Sequence, residues 1–333
     1  MKYAVDDAYL TDNRMPDTPN EPTVLVNKKR VAEHFSAASS SYDQYAQVQK
    51  KIAEVNLELL ADLAHGRSKY SVDLGCGTGA HTSSLAKMTD NCLAIDISYG
   101  MLKAAQMNNV EKSTAGNNAI LYCNGDADRL PLQSHSIDVL HSSMALQWCS
   151  SPSNTIAEIA RVLSTSGSAQ LAIMLDSSLY ELRQAWHNIG LTPRVNELFS
   201  QKKWLDATQN LKTDVSSSAD AQINIQHQVR SFTEWHPSSL HMLRALKRIG
   251  AATKSNDKQT AQNSHSPTSS AISRQELLEL DEQMRQQRQA VHEQSFAIHE
   301  QSPQLKIGDK DESNLGFPLT YQILFLSIQK TQG

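Results

Sequence analysis

Tyr70-Ser71-Val72-Asp73-Leu74-Gly75-Cys76-Gly77-Thr78-Gly79 runs from a short apolar segment straight into three glycines at alternate positions. Val72 and Leu74 read as a buried strand, and Ala80 to Met88, with Leu85, Ala86 and Met88, reads as a helix. Strand, glycine turn and helix open a nucleotide-binding βαβ unit. The turn calls for glycine because it is tight and because a ligand can approach bare backbone. The spacing is G-x-G-x-G with Asp73 two residues before the first glycine, tighter than the G-x-G-x-x-G of dinucleotide sites. The alternative is a glycine turn in another kind of α/β protein.

Outward from this turn, further strands alternate with helices. Before it, Ile52, Val55, Leu59, Leu60 and Leu63 recur at helical spacing, so Tyr42 to Ala64 is expected as one amphipathic helix. After it come strands at Cys92–Ile95 and Ala119–Cys123, a fourth that Ser136–Leu140 lead into and that ends at His141–Met144, and a fifth at Ala169–Leu175, with a helix over Pro152–Leu163. Such alternation gives a parallel sheet covered on both faces, whose ligands bind at the C-terminal strand ends. Asp73, Asp96, Asp126 and Ser142 all fall at such ends. Asp96, about 20 residues after the loop begins, stands where a carboxylate accepts ribose hydroxyls; a strand-end turn former is the other reading. Ile97 would lie against an adenine, and Asp126 would accept from its amino group.

Beyond Asp176 the pattern predicts helices over 178–198, 199–211 and 237–249, strands over 221–235 and 318–329, and a Gln- and Glu-rich helical segment over 274–300. The two late strands extend the sheet, and the helices between them cap the ligand edge. The expected organisation is a disordered tail over 1–26, a Rossmann-like core over 27–176, and a cap plus the last two strands over 177–333. A flexible loop is expected near 253–273, which is rich in Ser, Thr, Asn and Gln.

The chain has 333 residues and a net charge of −4, which implies no nucleic-acid partner. No apolar run approaches membrane-spanning length, and Met1 to Asn20 lacks the order of a signal peptide, so the cytoplasm is the default and no membrane role is expected. Cys76, Cys92, Cys123 and Cys149 form no C-x-x-C pair and no ligand spacing with histidine, so no metal site is expected. Cys76, inside the glycine loop, reads as packing. His34, His141 and His241 have no carboxylate at a readable spacing and are read as structural.

Several stretches are similar to a known family. Asp73-Leu74-Gly75-Cys76-Gly77-Thr78-Gly79, Asp96, Gly125-Asp126-Ala127 and Arg161-Val162-Leu163 resemble the class I S-adenosylmethionine (SAM) methyltransferases. More narrowly, five stretches resemble the malonyl-acyl-carrier-protein O-methyltransferases of biotin synthesis. They are Phe35–Ala38 with Tyr42-Asp43, Ala145–Cys149, Ser178–Trp186, Leu246–Ala251 and Pro318–Tyr321. Two departures are a longer segment over 286–315 and Gly316 before Phe317.

The resemblance implies a Rossmann-like class I methyltransferase with a mostly parallel seven-stranded sheet, helices on both faces and a helical cap. It implies SAM as methyl donor, S-adenosylhomocysteine as product, and malonyl on acyl-carrier protein as acceptor. The donor site it implies comprises Tyr42, Gln49, Asp73, Gly75, Cys76, Gly77, Gly79, Asp96, Ile97, Met101, Asp126, Ala127 and Ser142. A carboxylate acceptor is already ionised, so no acid–base dyad is expected. Arg183, Arg244 and Lys247 are the candidates to grip it, with Gln147 and Tyr321 as neutral donors. Trp148 and Tyr42 either wall the methyl donor or pack the core. Arg183 is alternatively a solvated charge, and Lys247-Arg248 or Lys202-Lys203 would meet an acidic carrier. A quinone or small-acid methyltransferase shares every donor motif; a SAM-binding module without catalysis is the non-enzymatic reading.

Overall fold

The structure is a computed structural model and describes residues 26–63, 68–113, 119–193, 195–215, 221–249, 272–299 and 316–332. The expected tail, the loop near 253–273 and the stretch 300–315 lie almost entirely outside the described residues.

Three helices precede the sheet: α1 (Lys28–Ala38), α2 (Tyr42–Tyr45) and α3 (Gln47–Leu63). The helix expected over 42–64 is therefore broken at Ala46, whose ψ of 41° is not helical. Next come β1 (Ser68–Leu74), α4 (Thr82–Ala86), β2 (Thr89–Asp96), α5 (Tyr99–Ser113), β3 (Ile120–Asn124) and β4 (Ile137–Ser143). A 3-10 turn (Leu146–Trp148), α6 (Pro152–Val162), β5 (Leu163–Met174), α7 (Tyr180–Asn188) and α8 (Gln201–Val215) follow. The chain continues through β6 (Ala221–His236), α9 (Ser239–Arg248), α10 (Arg274–His299) and β7 (Phe317–Gln332).

The seven strands order as β3-β2-β1-β4-β5-β7-β6, and only β7 runs against the others. From β1 the chain steps outward to β2 and β3, then crosses back from β3 to β4 on the other side of β1. The crevice at that switch point is where such sheets bind ligands.

Strand alternation builds two cores. On β7, Leu324, Leu326 and Ile328 face one side, with α6 and Trp204 of α8. Tyr321, Ile323 and Phe325 face the other, with α3, α9, α10 and Trp186 of α7. Both faces of a central strand are buried, so its sequence is continuously apolar rather than alternating.

The helix expected over 178–198 ends at Asn188. Gly190 takes φ +72°, its N–H donates to His187 O, and Leu191 N donates to Trp186 O, closing a left-handed C-terminal cap. Residues beyond it run irregularly toward the ligand edge. Among the described residues, no helix is long and apolar enough to cross a membrane.

Candidate functional site

At the end of β1 the glycines turn the chain across the mouth of the crevice. Gly75 (φ +71°) lies so close to the β4 side that an added Cβ would sit 2.1 Å from Ala145 Cβ. Gly77 (φ +55°) faces open space, and its N–H donates to Asp96 Oδ2 at 2.9 Å. Gly79 instead packs on Ala105 and Asn109 of α5 and does not line the cleft.

This turn, the ends of β2 and β4 and the N-terminal helices enclose a cleft of about 1150 Å³, its open mouth included. Asp96 closes one side, also accepting from Ser98 N at 2.7 Å. Burial, with the Asp73 charge adding and the two N–H bonds opposing, pushes its carboxyl up to about 6. Cys76, Ile97, Met101, Asp126 and Ala127 also line this cleft, as do Tyr42, Gln49, Asp73, Gly75 and Gly77. Ser142 does not; its hydroxyl is buried and donates to Leu74 O at 2.8 Å. Burial raises the Cys76 thiol well above its ordinary range, so it stays protonated and packs.

Helix α1 has no buried residue, yet it lies over the cleft. Lys28 Nζ donates to both Asp126 and Asp128, and Ser36 Oγ shares a hydrogen with Ser98 Oγ at 2.8 Å. Val31 and Phe35 turn inward from the same helix.

A second, smaller cavity of about 470 Å³ adjoins the first. Phe35, Tyr42, Gln49, Met144 and Trp148 line both. Phe35 meets Trp148 edge-on at 5.7 Å and Tyr42 at 6.3 Å, so an aromatic cluster stands between the two spaces. The remaining wall includes Gln147, Met174, Leu179, Asn196, Ile249 and Tyr321, with no charged side chain among the described residues. Burial, then the charges of Glu234 and Glu181 and the neighbouring Tyr42, raise the Tyr321 phenol, so it is a neutral donor.

Of the basic side chains expected to grip the acceptor, one is held by backbone carbonyls. Arg183 donates to Ser178 O at 3.2 Å and Asn196 O at 2.9 Å, tying α7 to the segment that follows it. Arg183, Arg244 and Lys247 line neither cavity. Sequence reading missed Lys28, Lys50, His81 and His141, all of which line the first cleft. His141 was read as having no carboxylate partner, yet its Nδ1 lies 3.1 Å from Asp73 Oδ1. The β1–β4 register that pairs these residues was the missing signal.

Residues 72–171 match the family described as a methyltransferase domain. A malonyl-[acyl-carrier protein] O-methyltransferase from Marinomonas sp. is 31% identical over 237 residues, covering 71% of this chain and 82% of that protein. One from Hahella chejuensis is 33% identical over 228 residues, covering 68% and 75%. Among solved structures, the YcgJ protein from Bacillus subtilis superposes with a TM-score of 0.52 at 14% identity, over 84% of this chain and all of that one, a likeness of fold. A putative methyltransferase from Bacillus halodurans gives 0.51 at 11% identity, over 82% and 97%.

Proposed function

We propose, since this chain belongs to the malonyl-[acyl-carrier protein] O-methyltransferase family, that it transfers a methyl group from SAM to the free carboxylate of malonyl thioester on acyl-carrier protein. The ester then serves biotin synthesis, a role that the names of curated relatives support. The observation that carries this reading to the site is the pair of adjoining cavities parted by Phe35, Tyr42 and Trp148.

The first cleft fits the donor. Asp96 offers a carboxylate beside the open face of Gly77, suited to two ribose hydroxyls. Ile97 and Met101 give an apolar wall for a purine, and Asp126 an acceptor for its amino group. Bound there, SAM supplies a methyl carried on a positively charged sulfur.

The second cavity fits the acceptor. Its carboxylate is ionised at neutral pH and needs no base. The work left to this chain is orientation and exclusion of water, which together can lower a barrier by about 7–11 kcal/mol. Tyr321 and Gln147 are neutral groups for holding the carboxylate. A salt bridge would stabilise the free carboxylate more than the transition state, in which its charge is being cancelled. The wall without charge therefore suits the reaction better than the arginine grip expected from sequence.

The test is mass spectrometry of purified protein with SAM and malonyl-acyl-carrier protein, beside malonyl-CoA and free malonate. A methyl-sized gain strongly preferring the carrier-bound substrate supports the reading; equal or better use of free malonate refutes it.

A further inference from the structure

Strand β6 is an open edge of the sheet: β7 lies on one side of it and, among the described residues, no strand lies on the other. Such an edge is a row of N–H and C=O groups ready to pair with another chain. Proteins blunt it by keeping the strand short or by placing lysine, proline or a bulge there. The opposite edge, β3, is short, with 5 residues. β6 has 16 residues, none of them lysine or proline, and its register with β7 runs unshifted from Ala221 to His236. It also holds two large apolar side chains out to solvent, Val229 at 38% and Trp235 at 44% exposed.

The strand's own sequence fits a second copy of itself. Two antiparallel copies related by a two-fold axis through one residue set the side chains before that residue in one copy against those after it in the other. An axis through a residue also keeps each side chain on its own face of the sheet, since partners then differ by an even number of positions. Arg230 and Glu234 are the charged side chains of β6, its histidines aside. An axis through Phe232, midway between them, sets Arg230 of each copy against Glu234 of the other. The same register sets Val229 against Trp235 and Ser231 against Thr233, each pairing made twice. An axis through Arg230 or Glu234 would instead oppose like charges, which weakens a strand pair. Within one chain Arg230 is held by neutral groups, its Nε donating to Gln228 Oε1 at 3.0 Å and its guanidinium lying 5.5 Å from the Phe325 ring. Glu234 lies 3.3 Å from His236 Nε2, a cation only when protonated.

We propose that two copies of this chain pair through β6, antiparallel about Phe232, joining their two sheets into one. The contact is the same patch on both copies, so it closes on itself and leaves only the short β3 edges outside.

Sedimentation velocity of the full chain over a roughly hundredfold range of concentration tests this, and the native protein is expected to run as a dimer at the upper end. Arg230→Glu and Glu234→Arg each oppose like charges and should weaken self-association at least tenfold. The double variant carrying both exchanges restores opposite charges and should return to within about threefold of the native protein. Hydrogen exchange of the native chain needs no variant: amides over 228–236 should exchange more slowly as concentration rises, because those facing outward gain acceptors. A native monomer throughout, single variants that associate as the native protein does, or a folded double variant as weak as the singles would each overturn the proposal. So would exchange over 228–236 that ignores concentration, which would place any dimer contact on another face. If a single variant fails to fold, the exchange measurement decides alone.

Discussion

Acidification is expected to release the nucleoside end of the donor by protonating Asp96. Its carboxyl is buried and pushed from 3.8 up to about 6, chiefly by burial and further by Asp73. At pH 5 about nine molecules in ten then carry a neutral Asp96. If ribose hydroxyls require the carboxylate, the dissociation constant of 5′-methylthioadenosine rises about tenfold between pH 7 and pH 5. That nucleoside lacks the amino-acid end, so the measurement reports on the nucleoside contacts. Asp96→Asn should bind weakly and show no such slope.

The same group leaves an opposite mark on the ligand-free protein. With the folded pKa above the unfolded one, its contribution to stability is fully present below about pH 4. It is lost as pH rises to about 6. At 1.36 kcal/mol per pH unit the rise from 3.8 to about 6 amounts to ~3 kcal/mol. Chemical denaturation across pH 4 to 7 should therefore show Asp96→Asn gaining on the native protein by about that amount, while calorimetry shows native nucleoside affinity rising over the same range. A flat native binding profile between pH 7 and 5, or an equal slope in Asp96→Asn, would refute the argument.

Lys28→Ala removes the tie between α1 and the two aspartates under it, so S-adenosylhomocysteine should leave roughly five- to tenfold faster in stopped-flow, and the native rate should rise with salt. An unchanged, salt-independent rate would show that α1 does not govern exit. Arg183→Ala strips two backbone carbonyls of their donor and should cost about 1–3 kcal/mol in denaturant unfolding while the KM for malonyl-acyl-carrier protein stays near native. A raised KM with unchanged stability would return Arg183 to the acceptor.

What could be read from the sequence was whatever is local. The glycine spacing, the strand ends at Asp73, Asp96 and Asp126, and the order of strands and helices all lie in short windows. They sufficed for the Rossmann-like sheet, and most of the residues named for the donor line the first cleft. What escaped depends on pairing at long range. His141 meets Asp73 across 68 residues, and Lys28 meets Asp126 across 98. Periodicity told which face of α7 and α9 is apolar but not what the polar face meets, so Arg183, Arg244 and Lys247 were assigned by charge alone. The end of α7 was legible in principle: Gly190 followed by Pro193 is a stop signal, and the helical pattern on either side outweighed it.

The order of strands also dictates a schedule during synthesis. β7 is the last of the described strands to leave the ribosome, yet it lies between β5 and β6. At ~5–20 residues per second, the edge of β5 waits on the order of ten seconds for its partner. Throughout that interval Leu171 and Ile173 lack their partners Leu326 and Leu324 on β7, and β6 has no strand to bond. Both waiting edges are extended backbone with free N–H and C=O groups, open to any passing strand. The nascent protein is thus most exposed to chaperones, and to mispairing with other chains, while β7 is still to be made.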